Sequence, residues 1–271
     1  MPKGIFLKQR KDVKILRVKY KERVSFGILE GKKVLLAEGD PFSGFNGFGP
    51  LLPLEEVRLL PPVEPTKIIG VGLNYRDHAE EVGLEVPSEP LIFLKPSTSV
   101  IGPEEPIIIP TFSQRVDYEG ELAIVISKRA KGVSLEEAHN YILGYTCFND
   151  VTARDIQIRE KQWTRAKGYD TFAPLGPWIE TEIDPMNLNL ETLVNGERRQ
   201  LSNTRNLIFN PFKLVSFISH IMTLLPGDVI ATGTPSGIGP LTEGDIVEVK
   251  IERIGTLRNP VKAHPRCSNS T

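Results

Sequence analysis

The segment DYEGELAIVI sets Glu119 and Glu121 two residues apart at the head of an apolar, β-branched run. In a strand, that spacing turns both carboxylates to one face, with Cα atoms roughly 6.5–7 Å apart. Two such groups can share one cation; without it they repel, and burial raises their pKa values. The pair alone also fits a solvent-facing acidic patch on an edge strand. A third carboxylate, Asp150, closes the apolar run 142–148 in GYTCFNDVTARDIQ. It either reaches the same point or caps the helix that follows, where Thr152 and Asp155 resemble a cap pair; the two roles are compatible. Two glutamates and an aspartate without a nearby His or Cys suit a hard, oxygen-preferring ion, Mg2+ or Mn2+ ahead of Zn2+.

In NYRDHAEE, His78 and Glu81 are three apart and share a face if the segment is helical. A carboxylate beside an imidazole fixes its tautomer and stabilises its charged form, which suits a general base. A chance pair on an exposed helix has the same spacing. The preceding GVGLNY has the wrong spacing for a dinucleotide fingerprint and no Walker lysine, so a phosphate loop is rejected. Lys167 lies in WTRAKGYDTFAPLGPW, an apolar and aromatic stretch where a lysine needs a partner if buried. There it offers positive charge to a developing anion, or it is a surface lysine. Thr232, Gly233 and Thr234 form a small hydroxyl-bearing loop at a strand end, which lines a pocket or merely turns.

These residues need strands to carry them. Residues 12–39 alternate as short strands with a turn at Glu30-Gly31, and 40–66 are Pro- and Gly-rich, the composition of a linker or irregular cap. The simplest partition is a small β-rich N-terminal domain with its linker over 1–63, a larger domain over 64–261, and a disordered tail over 262–271. In the larger domain KIIGVGLNY, PLIFLKPS, GELAIVIS and DVIATGT read as strands, and DIVEVKIERIGTLRNPV as one bent final strand. Asp77–Glu85 reads as a short helix. Ser134–Leu143 reads as a helix opened by a Ser134/Glu137 capping box. Asn210–Leu225 reads as a helix with Pro211 in its first turn. Strands outnumber helices without regular interleaving, which favours an α+β, β-rich fold over a doubly wound sheet.

The 271 residues, 40% hydrophobic and 25% charged, suit a soluble globular protein with a substantial core. A net charge of −1 gives no bulk attraction to nucleic acid or membrane. The basic residues Lys8, Arg10, Lys11, Lys14, Arg17, Lys19 and Lys21 alternate with apolar ones as a solvated strand face. Two cysteines, Cys147 in an apolar stretch and Cys267 in the tail, speak for a reducing compartment. With no signal-peptide pattern and no spanning apolar run, a cytoplasmic location is expected. Cys147 is expected in the core, and His139 and His220 outside any catalytic role.

Taken together, GLNYRDHAEE, LIFLKPSTSVIGP, VDYEGELAIVI, GYTCFNDVTARDIQ, QWTRAKGYDTFAPLGPW, LVNGERRQLSNTRNLIF and LLPGDVIATGTPSGIG resemble, in consistent order, the fumarylacetoacetate hydrolase family. The resemblance runs from about Lys67 to Pro260, and the N-terminal 60 residues resemble the variable unit of two-part bacterial members. It implies a mixed β-sandwich roll with a small N-terminal domain, a homodimer, and a small-molecule 2-oxo acid substrate. It implies metal ligands Glu119, Glu121 and Asp150 for Mg2+, with Mn2+ or Ca2+ as substitutes. It implies a catalytic His78–Glu81 pair on a mobile lid, Lys167 beside the anionic intermediate, and Arg154, Gln157 and Thr234 at the substrate. The expected activity is hydrolysis of a C–C bond in acylpyruvate-type 2-oxo acids. The alternatives are isomerisation or decarboxylation, as with 2-hydroxyhepta-2,4-diene-1,7-dioate or oxaloacetate in aromatic catabolism. A non-catalytic 2-oxo acid binding protein is the reading of another class.

Overall fold

The computed structural model describes residues 13–83 and 85–264. The chain opens with a meander, β1 (Lys14–Tyr20), β2 (Arg23–Glu30), β3 (Lys33–Asp40) and β4 (Gly44–Pro53). After β5 (Arg58–Leu59) come β6 (Ile68–Gly72), β7 (Leu91–Lys95), β8 (Val100–Ile101) and β9 (Ile107–Ile109). The acidic motif spans β10 (Val116–Tyr118) and β11 (Gly120–Ile126), followed by β12 (Ile142–Asn149), β13 (Thr152–Ala153) and β14 (Ala173–Glu180). The C-terminal part adds β15 (Asn189–Val194), β16 (Glu197–Asn203), β17 (Val229–Ala231), β18 (Gly239–Leu241), β19 (Ile246–Ile251) and β20 (Gly255–Ala263).

One sheet runs in the order β4-β3-β2-β1-β14-β12-β11-β17-β6-β7, with β5 beside β1 and β8 beside β14. A second has the order β16-β15-β19-β20-β9, and a short one β13-β10-β18. The seven residues of β11 are all buried, as a strand covered on both faces must be. Leu122, Ile124 and Ile126 face the helix Pro211–Ile221 and β19 in one apolar cluster, while Ala123 and Val125 join Ile15, Ile28, Phe148 and Ile179 in another. That alternation is the period-2 geometry of a strand between two layers. No described helix is long and apolar enough to cross a membrane.

Several local expectations change. The Pro/Gly-rich stretch is no irregular cap: Gly44–Pro53 is an edge strand paired to β3 through two register shifts. An edge position tolerates prolines because no further strand needs their missing N–H. The helix expected at Ser134–Leu143 shrinks to a 3-10 turn at Ala138–Tyr141. The Glu137 N–H does donate to Ser134 Oγ at 3.3 Å, but β12 claims Ile142 and Leu143 for the sheet. The helix from Asn210 starts as read, with Asn210 accepting from the Lys213 N–H. It stops at Ile221 because Leu224 bridges to Ala130 instead. The bent final strand is a hairpin of β19 and β20, turned at Arg253 with φ +63. Lys262 and Ala263 belong to β20, and the His264 N–H donates to Ile109, so the strand outlasts the expected tail boundary. Residues 265–271, with Cys267, and the basic residues 8–11 lie outside the described residues. Cys147 is buried, its thiol pushed up to about 12 by burial.

Candidate active site

Register brings the acidic residues together. β11 and β12 pair antiparallel with Gly120 opposite Asn149 and Glu121 opposite Phe148. The Asp150 N–H donates to the Glu119 carbonyl at 2.8 Å, and the Glu119 N–H to Asn149 Oδ1 at 2.9 Å. Carboxylate oxygens of Glu119, Glu121 and Asp150 consequently lie within 4.8 Å of one another, all three residues buried. Two oxygens bound to one ion at 2.0–2.6 Å lie at most about 4–5 Å apart, so this donor set fits a single oxygen-coordinated cation. Glycine between the glutamates is required by packing: a Cβ on Gly120 would stand 2.1 Å from Thr192 Oγ1 of β15.

Two buried lysines hold these anions. Lys167 Nζ donates to Glu119 Oε2 at 2.8 Å and to Asp150 Oδ2 at 2.6 Å. Lys95 Nζ donates to Asp150 Oδ1 at 2.5 Å and to the Val151 carbonyl at 3.2 Å. Arg154 donates to Glu119, to Gln157 and to the buried Asp117, and Thr152 Oγ1 donates to Glu119 Oε1 at 3.1 Å. Thr152 and Asp155 therefore do not cap the helix Arg154–Arg159. Thr152 is spent on the cluster, and Asp155 accepts from Ser113 Oγ and the Gln114 N–H.

The electrostatics separate the two glutamates. Burial opposes ionisation of Glu119, but Lys167 and Arg154 outweigh it and hold its carboxyl well below the usual range. Burial, with Asp150 and Glu119 adding repulsion, drives Glu121 well above it. Burial lowers the Lys95 ammonium pKa despite Asp150, whereas for Lys167 burial is overcome by Asp150 and Glu119 and the pKa rises. A cation entering this cluster competes with the Glu121 proton. As pH falls below the raised Glu121 pKa, apparent affinity for Mn2+ is expected to drop by up to about tenfold per pH unit, with about one proton released per ion bound. Calorimetry in buffers of different ionisation enthalpy reads that proton directly; binding without proton uptake by the buffer counts against it.

The helix Arg76–Val82 stands over the cluster. His78 Nδ1 meets Glu81 Oε2 at 3.0 Å, and because a carboxylate only accepts, Nδ1 carries the hydrogen and Nε2 is left basic. The second Glu81 oxygen accepts from the Gly237 N–H at 2.9 Å. Asp77 Oδ2 accepts from Ser236 Oγ at 3.3 Å, tying the same helix to the loop after β17. Within that loop Thr234 Oγ1 donates to the Gly120 carbonyl and the Gly233 N–H to Glu121 Oε2. One cavity of about 500 Å³ is lined by His78, Glu119, Glu121, Asp150, Arg154, Gln157, Lys167 and Thr234, with apolar residues between them. Glu81 is not among its lining and meets His78 from behind the cavity wall. His139 and His220 are exposed, each turned to a carbonyl of its own chain segment.

Lys95 and Asp117, both buried in the charge network, do not stand out in the sequence. The signal for Lys95 is a lysine ending the run LIFLK; for Asp117 it is a further acid two residues before Glu119. The pocket wall is built against missing side chains. A Cβ on Gly70 would lie 2.2 Å from Phe93 Cζ, and Phe93 lies 5.1 Å beneath Lys167 Nζ. Gly70→Ala is expected to cost about 1–3 kcal/mol by overpacking. An unaltered denaturation midpoint would show that the ring makes room.

The fold and site define a class: a β-rich enzyme-like chain with an oxygen-lined candidate cation site at the floor of one pocket. Residues 67–262 match the family Fumarylacetoacetate (FAA) hydrolase C-terminal, and residues 13–62 match Rv2993c-like, N-terminal. The chain belongs to the fumarylacetoacetate hydrolase family. It is 44% identical over 224 residues to the mitochondrial oxaloacetate tautomerase Fahd2a of Rattus norvegicus, covering 78% of this chain and 72% of that protein. The crystal structure of 2-hydroxyhepta-2,4-diene-1,7-dioate isomerase from Mycobacterium marinum superposes with TM-score 0.88 at 44% identity, covering 94% of this chain and 100% of that one. The maleylpyruvate hydrolase of Sphingobium sp. SYK-6, in complex with manganese(II) and pyruvate, gives TM-score 0.77 at 31% identity over 92% and 99%. The β-rich roll is thus the family fold, and the family comprises enzymes: hydrolases, isomerases and tautomerases.

Proposed function

We propose that this chain is a divalent-cation-dependent hydrolase of acylpyruvate-type 2-oxo acids, with Glu119, Glu121 and Asp150 as the cation ligands. The observation that carries this reading is the convergence of three buried carboxylates beneath a histidine whose tautomer is fixed. The manganese(II) and pyruvate in the Sphingobium enzyme support both the ion class and the 2-oxo acid. Mg2+ is the proposed physiological ion. When bound, the cation supplies Lewis acidity toward the carboxylate and 2-oxo oxygens of the substrate.

The chain's own groups supply the rest. Arg154 and Gln157 orient the C1 carboxylate from the cluster side, where they already bond each other. His78 Nε2 takes a proton from water, and the resulting hydroxide adds to the C4 carbonyl. As the C3–C4 bond breaks, its electron pair passes to the pyruvate fragment, and Lys167 places positive charge beside it. Protonation at C3 completes pyruvate and a carboxylic acid. Thr234, fixed on the Gly120 carbonyl, bounds the substrate's other side.

The names of the rat and M. marinum proteins favour a second reading, in which the same anion is reprotonated elsewhere and no bond is hydrolysed. A non-catalytic 2-oxo acid binder needs no base, and the His78–Glu81 pair speaks against it. The test is a panel of acylpyruvates, oxaloacetate and an unsaturated 2-oxo diacid, assayed after chelation and again with Mg2+ or Mn2+. Ion-dependent release of pyruvate from an acylpyruvate is the expected result. Ion-dependent tautomerisation or decarboxylation alone selects the second reading, and binding without turnover selects the third.

A further inference from the structure

Between its charged groups the same cavity carries an apolar lining with a chemistry of its own. Phe93 sits beneath Lys167, and the Trp163 ring meets it edge-on with centroids 5.3 Å apart. Trp163 in turn rests where a side chain of residue 72 would stand: a Cβ on Gly72 would lie 2.8 Å from Trp163 Cζ3. Glycines 70 and 72 on β6 thus open room for two rings, which accounts for the GVG that forms no phosphate loop. Leu73, Ile238 and Ile158 continue the lining. Ile158, 78% exposed, projects from the rim of the cavity.

Charge is absent from this wall. Among the described lining residues the permanent cations are Lys167 and Arg154. Both are already engaged with carboxylates, Arg154 with Asp117 and Glu119, and Lys167 with Glu119 and Asp150. The basic residues flanking the wall in sequence, Arg76, Arg159, Lys161 and Arg165, do not line the cavity; Arg165 turns to Glu160 at 2.6 Å and Arg159 to the same group at 3.5 Å. A second carboxylate placed against Trp163 and Ile158 would lose its hydration without gaining a free cation, because the ammonium above Phe93, that of Lys167, is already bound to Glu119 and Asp150, whereas an alkyl or aryl group would gain by burial.

We infer that Phe93, Trp163, Leu73, Ile158 and Ile238 form a subsite for an uncharged, apolar acyl chain, so that the preferred substrates are 2,4-dioxo monoacids and not diacids. The inference rests on the proposed 2-oxo acid reading and narrows it. Oxaloacetate ends at C4, has no acyl chain to place in the subsite, and does not probe it.

The experiment compares two seven-carbon compounds on the full-length, Mn2+-loaded protein: 2,4-dioxoheptanoate and 2,4-dioxoheptanedioate. They differ only in the distal carboxylate. Both kcat/KM and Kd are read, so the subsite is tested even without turnover. The monoacid is expected to be favoured by about tenfold or more, because the diacid's far end finds no partner. Ile158→Arg, on the exposed rim, is expected to narrow that ratio several-fold by giving the diacid a cation. Equal or better use of the diacid overturns the inference. So does an Ile158→Arg ratio identical to that of the parent protein. If neither compound is cleaved but the monoacid binds more tightly, the subsite stands and the hydrolase reading falls. If neither binds while Mn2+ does, both fall.

Discussion

Replacing Glu119 by alanine is expected to remove catalysis, with turnover of any 2-oxo acid reduced by about 10³-fold or more at a fixed Mg2+ concentration. The proposed site has three carboxylate ligands, and losing one leaves two. The same side chain is also a counter-ion. Without it, among the described residues Lys167 keeps Asp150 and Arg154 keeps Asp117 as the one carboxylate paired with each. Breaking a buried ion pair from one side costs about 3–5 kcal/mol, so the alanine variant combines lost ligation with lost stability. Glu119→Gln also loses the charge but softens the second effect, since it retains shape and its amide oxygen can still accept from Thr152 Oγ1 as Glu119 does. The glutamine variant should fold with native circular dichroism, bind Mn2+ at least about a hundredfold more weakly by electron paramagnetic resonance, and remain inactive. Native Mn2+ affinity in that variant would remove Glu119 from the ligand set.

His78→Ala should split the reactions. Attack on the acyl carbonyl needs a proton taken from water, and general-base assistance contributes about 10²–10⁴-fold. Acylpyruvate cleavage should fall by that amount. Decarboxylation of oxaloacetate creates the same kind of carbanion without an attacking water and should fall by less than about tenfold. Glu81→Gln should lie between, because it weakens the orientation of His78 and also touches the Gly237 N–H. Equal losses in both reactions would mean that His78 positions the helix Arg76–Val82 and does not move the proton.

The parts of the site that follow from local periodicity were legible in the sequence. Glu121 stands on β11 and Glu119 in the one-residue break between β10 and β11, and both still line the pocket as the two-residue spacing suggests; His78 and Glu81 meet because Arg76–Val82 is a helix. The placement of Asp150 at a strand end was likewise readable from the apolar run before it. What was hidden depends on contacts distant in the chain. Lys95 looks like an ordinary strand-end lysine until β7 is placed over the loop after β12, 55 residues on, where it meets Asp150. Phe93 and Trp163 acquire meaning only through the glycines opposite them. The helix expected at Ser134 failed for a related reason: its local cap forms, but the sheet pairing of β12 outweighs helix propensity at Ile142 and Leu143. The strand at Gly44–Pro53 was masked because Pro and Gly report loops as readily as sheet edges.

The N-terminal strands are more than an appendage. β1 extends the main sheet by pairing with β14, and Val13, Ile15, Ile28, Ala37 and Phe45 bury themselves against Ala123, Phe148, Leu175 and Val229. Ala123 stands on β11, the strand that presents Glu121. Shortening the chain at residue 62 would therefore strip the far side of the strand holding the acidic centre and leave a raw sheet border ready to stick to its neighbours. The leading segment is a splint, and chemistry at the other end of the sheet depends on its grip.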